Sequence, residues 1–448
     1  MKSNFKKRNI FILFIIVIII CIVSVVLFKN FNTKNLSKKM KDNMIPIKTL
    51  ESNNDFEDLA PLEEILKDKK IIGVGEATHG TKEFSQMKHR MFEFLVEKMG
   101  YRLFAIEDDF GICEEINKYV LYGDGNGENL IKLLNIQWQT KEVENIIGWI
   151  RDYNENPNHK EKIKFYGIDL LNQSYDVVNI LSYLEKVDKN IFTKATSLLS
   201  GIDILKVENS STPSNIKLYK NNVEQLTKLF SENRINFIEK TSENEYTLAL
   251  MNLTNLNQFV NYMGFLDNPL KLFKLRDDYM AKNISSILDY EKNFGNDKIM
   301  IWTHNTHVSK HFYNMISMGE NLKNIFVDDY YAIGFEFYNG SFLSANFDSI
   351  YKTTSNSFAK NDVESLPKKG SFADVLKNTD IPIGFIDFKT ICNSNKPVKI
   401  WLNKPQLLHN VGYSYDKSEF TLYKTEVPLQ SYDRMIFIRD TSTSTPIN

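Results

Sequence analysis

The sequence predicts an α/β fold: a central, mostly parallel sheet flanked by helices, with a helical insertion and a strand-rich C-terminal part, preceded by one transmembrane helix. Three observations predict it. From about Leu59 onward, short apolar runs that end in polar residues alternate with stretches of helical periodicity, as repeated strand-helix units require. Residues 170–290 carry Leu, Ile, Asn, Lys and Glu at helical spacing with no convincing strand, which reads as a helical insertion. Ile10 to Phe28 is aliphatic or Phe except at Cys21 and Ser24, long enough to cross a bilayer.

Taken in order, residues 1–8 form a basic leader with Lys2, Lys6, Lys7 and Arg8, and residues 9–28 a membrane anchor or uncleaved signal. No small-x-small cleavage site follows, and Ile20 before Cys21 argues against lipoprotein processing. Lys29, Lys34, Lys38, Lys39 and Lys41 follow the apolar run, so charge alone does not fix orientation; the expected arrangement keeps the N-terminus inside and the folded part outside. Residues 29–57, rich in Lys, Asn and Ser, read as a flexible tether, with the folded domain over 58–448.

Strands are expected within residues 70–76, 102–107, 163–169, 298–304, 330–337 and 382–388. Between the first two, Phe84, Met87, Met91, Phe94, Leu95 and Met99 mark a helix with Thr81 as N-cap and Gly100 as its stop. Asn339-Gly340 between two alternating runs predicts a hairpin, and the closing "STSTP" a frayed tail. Cys113 and Cys392 are left to pair or to remain buried thiols.

Lys+Arg 55 against Asp+Glu 56 gives a formal charge of -1, so no basic field exists to hold nucleic acid. Ionisable residues instead gather after the strands, where α/β sheets bind ligands: Glu76 and His79, then Glu107, Asp169, and His304 with His307. Asp108 and Asp109 read as solvated loop residues. Glu76 beside His79 suits a histidine base oriented by a carboxylate, and the glycines Gly73, Gly75 and Gly80 suit close approach of a ligand. The same N and O donors suit zinc or a two-metal hydrolase centre, and "HNTH" brings both imidazoles to one ion if residues 304–307 start a helix. The G-x-S-x-G elbow, the P-loop and the dinucleotide fingerprint are all missing from the sequence.

"GEATHGTKEF", "RLFAIE", "WIRDYN", "GIDLL", "LRDDYMAKN" and "IWTHNTHVSK" occur in this order. The combination resembles the erythromycin esterase family, which also includes proteins named for succinoglycan biosynthesis, over about Asp58 to the C-terminus. The resemblance implies hydrolysis of an ester, in known members a macrolide lactone, by water activated without a metal or other cofactor. It implies His79 as general base, Glu76 and Glu107 as supporting carboxylates, and His304 and His307 on the opposite wall. Known esterases carry an arginine nine positions after the motif histidine; Lys88 stands there, with Arg90 nearby, and these two with Asp169 and Arg276 are the expected substrate-binding residues. Lysine lacks the planar fork of arginine. The anchor departs from cytoplasmic resistance enzymes and directs the expectation toward a cell-surface or environmental ester. A metal-dependent hydrolase and a non-catalytic glycan-binding protein are the competing readings.

Overall fold

The computed structural model describes residues 33–202, 213–312, 315–348, 353–363 and 367–447. The expected transmembrane segment and Cys21 lie outside the described residues; within them, no helix is long and apolar enough to cross a membrane.

Twelve strands are described: β1 (Met44–Pro46), β2 (Ile71–Val74), β3 (Leu103–Asp109), β4 (Lys164–Asp169), β5 (Ile299–Trp302), β6 (Tyr330–Asp348), β7 (Thr353–Asp362), β8 (Ile383–Asp387), β9 (Gln406–His409), β10 (Ser414–Tyr415), β11 (Tyr423–Glu426) and β12 (Arg434–Thr441). The main sheet runs β1-β8-β12-β6-β2-β5-β3-β4, with β7 and β10 added on β6. From β12 to β4 the neighbours are parallel, while β8 and β1 join antiparallel at the edge. The sheet is therefore mixed. β2, β3 and β5 are buried at every position, which is why they read as continuous apolar runs rather than alternating ones.

Helices cover both faces. Helix Lys82–Met99 packs Phe84, Met87, Phe92 and Leu95 on one side of the sheet, and Gly100 ends it in the left-handed conformation. Helix Pro269–Glu291 packs Met280, Ile284 and Ile287 on the other. The insertion forms a helical layer with its own core, including Leu184, Val223, Phe230, Leu253 and Phe259; its last helix, Pro269–Glu291, returns to the sheet and carries Arg276 and Asp277 toward the strand ends.

Four expectations are corrected. Residues 33–57 are built into the fold: 33–41 is helical, β1 pairs with β8, and Met40, Met44 and Ile47 are buried. Their apolar positions are too widely spaced among Lys and Asn to stand out in the sequence. At Asn339-Gly340 the chain does not reverse. β6 continues through it, exchanging β12 for β7 as partner; Gly340 has φ 138°, and a Cβ there would lie 2.1 Å from the Thr441 carbonyl oxygen. The C-terminal residues are not frayed: Ser442 is held by Glu83 and Thr445 by Glu142, each a carboxylate in a helix first turn. Asp108 and Asp109 are fully buried, because β3 extends through them to its end. Cys113 and Cys392 are free.

Candidate active site

The carboxyl ends of β2, β5, β3 and β4 lie side by side. The loops after β2 and β5 deliver Glu76 with His79 and His304 with His307, and the ends of β3 and β4 themselves carry Glu107 and Asp169. After β2 the chain passes through Gly75, whose Cβ would stand 2.3 Å from Asn305 Oδ1. Only glycine admits that approach, and it brings the β2 and β5 loops together. The Asn305 N–H donates to the Glu76 carbonyl at 2.9 Å, and the Asn305 side chain is locked in turn onto Phe335.

Glu76 is fully buried and accepts from three groups. His79 Nδ1 lies 2.7 Å from Oε1, while Lys88 Nζ at 2.6 Å and Trp302 Nε1 at 2.9 Å reach Oε2. The proton on His79 is thereby drawn to Nδ1, and Nε2 has no protein hydrogen-bond partner among the described residues. The imidazole lies 5.5 Å from the Trp138 ring, edge to face, and 5.0 Å from the His304 ring.

A second network forms the opposite wall. Glu107 Oε1 accepts from Arg276 Nη2 at 2.8 Å, and Oε2 from the His304 N–H at 2.9 Å and the Thr303 hydroxyl. Burial would raise its pKa, but His307 and Arg276 outweigh that and hold it well below the usual carboxylate range. Arg276 is also clamped by Asp169, Nε to Oδ1 at 3.0 Å and Nη2 to Oδ2 at 2.5 Å. His307 Nδ1 lies 2.9 Å from Asp277 Oδ1 and its Nε2 3.3 Å from Glu107. Burial lowers its pKa, yet the two flanking carboxylates prevail and push it up to about 10, so it is an imidazolium at neutral pH. His304 is its opposite. Burial, followed by the neighbouring His79, drives its pKa well below the ordinary histidine value; Nε2–H donates to the Val411 carbonyl at 3.0 Å and Nδ1 caps the helix Asn305–Val308.

A cavity of about 460 Å³ opens between these walls. His79, Glu107, Arg276, His304 and His307 line it, with Phe273, Phe312 and Met315 as apolar walls. Residues 304–307 do start a helix, yet each histidine turns to a different protein partner. Among the described residues, no three His, Cys, Asp or Glu side chains are grouped as metal ligands would be.

Of the nine residues singled out in the sequence, five line the cavity; Glu76, Lys88 and Asp169 stand behind them, the last two in unexpected roles, and Arg90 lies apart. Lys88 is completely buried beneath Glu76, with its ammonium 4.7 Å above the Trp302 ring. Burial pulls its pKa down to about 8, against the pull of Glu76; it supports Glu76 and does not reach the cavity. Asp169 grips Arg276 from behind. Arg90 lies elsewhere: its guanidinium takes Asp58 at 2.7 and 3.1 Å and the carbonyls of Thr49 and Asp55, pinning residues 49–58 to the body. His89, which intervenes, shows that helix phase separates Lys88 from Arg90. The sequence reading placed the Thr303 hydroxyl near the site but gave it no role, and it missed Trp302 and Asp277. Trp302 and Thr303 close the β5 run and Asp277 adjoins Arg276, so their positions carried a signal but their partners did not.

The family model for Erythromycin esterase matches residues 96–441, and the chain belongs to that family. It is 25% identical over 394 residues to an Escherichia coli protein named erythromycin esterase type II, covering 79% of this chain and 88% of the relative. A Bacillus subtilis protein named as a hydrolase, YbfO, is 26% identical over 409 residues, with 81% and 83% covered. Among solved structures, a Bacillus cereus protein superposes with a TM-score of 0.81 at 24% identity, covering 93% of this chain and 99% of the other. An erythromycin esterase mutant in its open conformation gives 0.69 at 15% identity over 90% and 99%, and a succinoglycan biosynthesis protein 0.79 at 24% over 93% and 99%.

Proposed function

We propose that this member of a hydrolase family cleaves a carboxylic ester with water activated by His79. The observation that carries the reading is the His79 imidazole, tied at Nδ1 to buried Glu76 and, among the described residues, without a protein partner at Nε2, in a cavity that Arg276 and His307 also line. Water held at Nε2 passes a proton to it as the oxygen attacks the ester carbonyl. Glu76 keeps the tautomer and stabilises the imidazolium. Among the described residues Arg276 Nη1 has His307 Nε2 as its one hydrogen-bond neighbour, at 3.3 Å, and a protonated His307 offers that group no lone pair, so the Arg276 N–H is available to the tetrahedral oxyanion. Collapse expels the alkoxide, which takes the proton back from His79, giving acid and alcohol.

Phe273, Phe312 and Met315 suit a substrate with a sizeable apolar part, a macrolide lactone or an acylated cell-surface molecule. The composition of Ile10–Phe28 supports attachment to a membrane. The test is mass spectrometry of a macrolide panel and simple acyl esters incubated with the enzyme, with and without chelator. A product heavier by one water, formed equally in chelator, is expected for a ring-opened lactone. Chelator inhibition reversed by one metal would select the metal-dependent reading, and binding without turnover the non-catalytic one.

A further inference from the structure

Helix 33–41 begins just after the apolar stretch Ile10–Phe28 and residues 29–32. It is fixed to the body, with Met40 fully buried and the Ser37 hydroxyl donating to the Val375 carbonyl at 2.8 Å. Between it and helix Lys396–Leu402 runs a groove of about 520 Å³, with Leu36, Ile400 and Trp401 as its apolar lining and Lys39, Lys369 and Lys404 along it. Ile400 is 48% exposed. No Asp or Glu among the described residues lines the groove.

The same two helices also expose Lys34, Lys38, Lys396 and Lys399. Lys41 and Lys368, at the margin, are neutralised by Asp380 and Glu419, whereas these seven lysines have no ion-pair partner among the described residues. A chain whose formal charge is -1 overall therefore concentrates unpaired cations around exposed apolar side chains at one place, where its apolar segment leaves the fold. Lysines over apolar side chains match an anionic bilayer surface: the ammonium groups meet phosphates and the apolar side chains enter the headgroup boundary.

We propose that this face docks on the anionic phospholipid surface of the bilayer entered by Ile10–Phe28, and so sets the direction in which the catalytic cavity faces. The proposal rests on the membrane attachment proposed above. Because helix 33–41 is clamped to the body, docking orients the whole catalytic unit.

The full chain, reconstituted into vesicles of phosphatidylcholine alone or mixed with phosphatidylglycerol, tests both points. Flotation with the vesicles at high salt reads attachment; acetylation of Lys39, Lys369 and Lys404, followed by mass spectrometry, reads docking. Flotation with both lipids is expected, with labelling of the three lysines several-fold lower in the anionic vesicles. High salt should remove that protection, as should the triple variant Lys39→Glu/Lys369→Glu/Lys404→Glu, read by labelling of Lys34 and Lys38. Flotation with equal labelling in the two lipids overturns docking alone. Protection that persists in lipid-free detergent also overturns it, because the chain's own N-terminal segment or a second copy would then cover the groove. Failure to float with either lipid overturns attachment and docking together.

Discussion

Lys88 and Glu76 form a fully buried ion pair, Nζ to Oε2 at 2.6 Å, directly behind the His79 imidazole. The pair fixes the carboxylate whose other oxygen holds His79 Nδ1. Removing one partner leaves an uncompensated buried charge, so Lys88→Met is expected to destabilise the fold by about 3 kcal/mol. Turnover of the folded fraction should fall with little change in KM, since Lys88 does not reach the cavity. Chemical denaturation and steady-state kinetics on the same samples check both; a KM effect with unchanged kcat would assign Lys88 to substrate binding instead.

Arg90→Ala separates the two basic residues of the same helix. Loss of the Asp58 pair and the two carbonyl contacts is expected to cost about 3 kcal/mol, while kcat per folded molecule stays at the wild-type level. A large drop in kcat at preserved stability would return Arg90 to the site.

Arg276→Lys keeps a charge but has only three donors, so it cannot reproduce the three N–H contacts to Asp169 and Glu107 and still present a fourth to the substrate. The expected result is a fall in kcat on the order of 10²-fold, the scale of losing one oxyanion donor, with an intact fold by circular dichroism. Wild-type turnover in this variant would remove the oxyanion role from Arg276.

His307 gives a pH signature. Its pKa rises from the ordinary 6.5 to about 10 on folding, so its stabilising contribution is complete below pH 6.5 and is lost as pH rises through 10. Lys88 has the opposite sign: its pKa falls from 10.5 to about 8, so stability withheld at neutral pH returns between 8 and 10.5. From about pH 7 to 8 the His307 effect acts without this opposition, and wild-type stability should decline there more steeply than that of His307→Gln. Parallel urea midpoints for the two proteins across that window would contradict the assignment.

Local residues announced the strands and the site, because β2, β3 and β5 are buried on both faces and Glu76, Glu107 and His304 each lie two residues from a strand's carboxyl end. Glu76, His79, Glu107, His304 and His307 were readable as neighbours from position alone. What each touches was not readable, since Lys88, Trp302 and Asp277 meet the site across 12, 226 and 30 positions of chain. Arg90 and Lys88 look equivalent two residues apart, and only the phase of the packed helix tells a support from an anchor. Asn339-Gly340 has hairpin composition, but the glycine serves a close approach to Thr441. Residues 33–57 were misread because lysine-rich helices with a single buried seam look like linkers.

The most direct test of the account is turnover of an ester substrate by wild-type protein and by His79→Ala, with the fold of both checked by thermal melting. General-base catalysis predicts a loss in kcat of about 10²- to 10⁴-fold at a closely similar melting temperature. Wild-type turnover in His79→Ala would contradict the account outright.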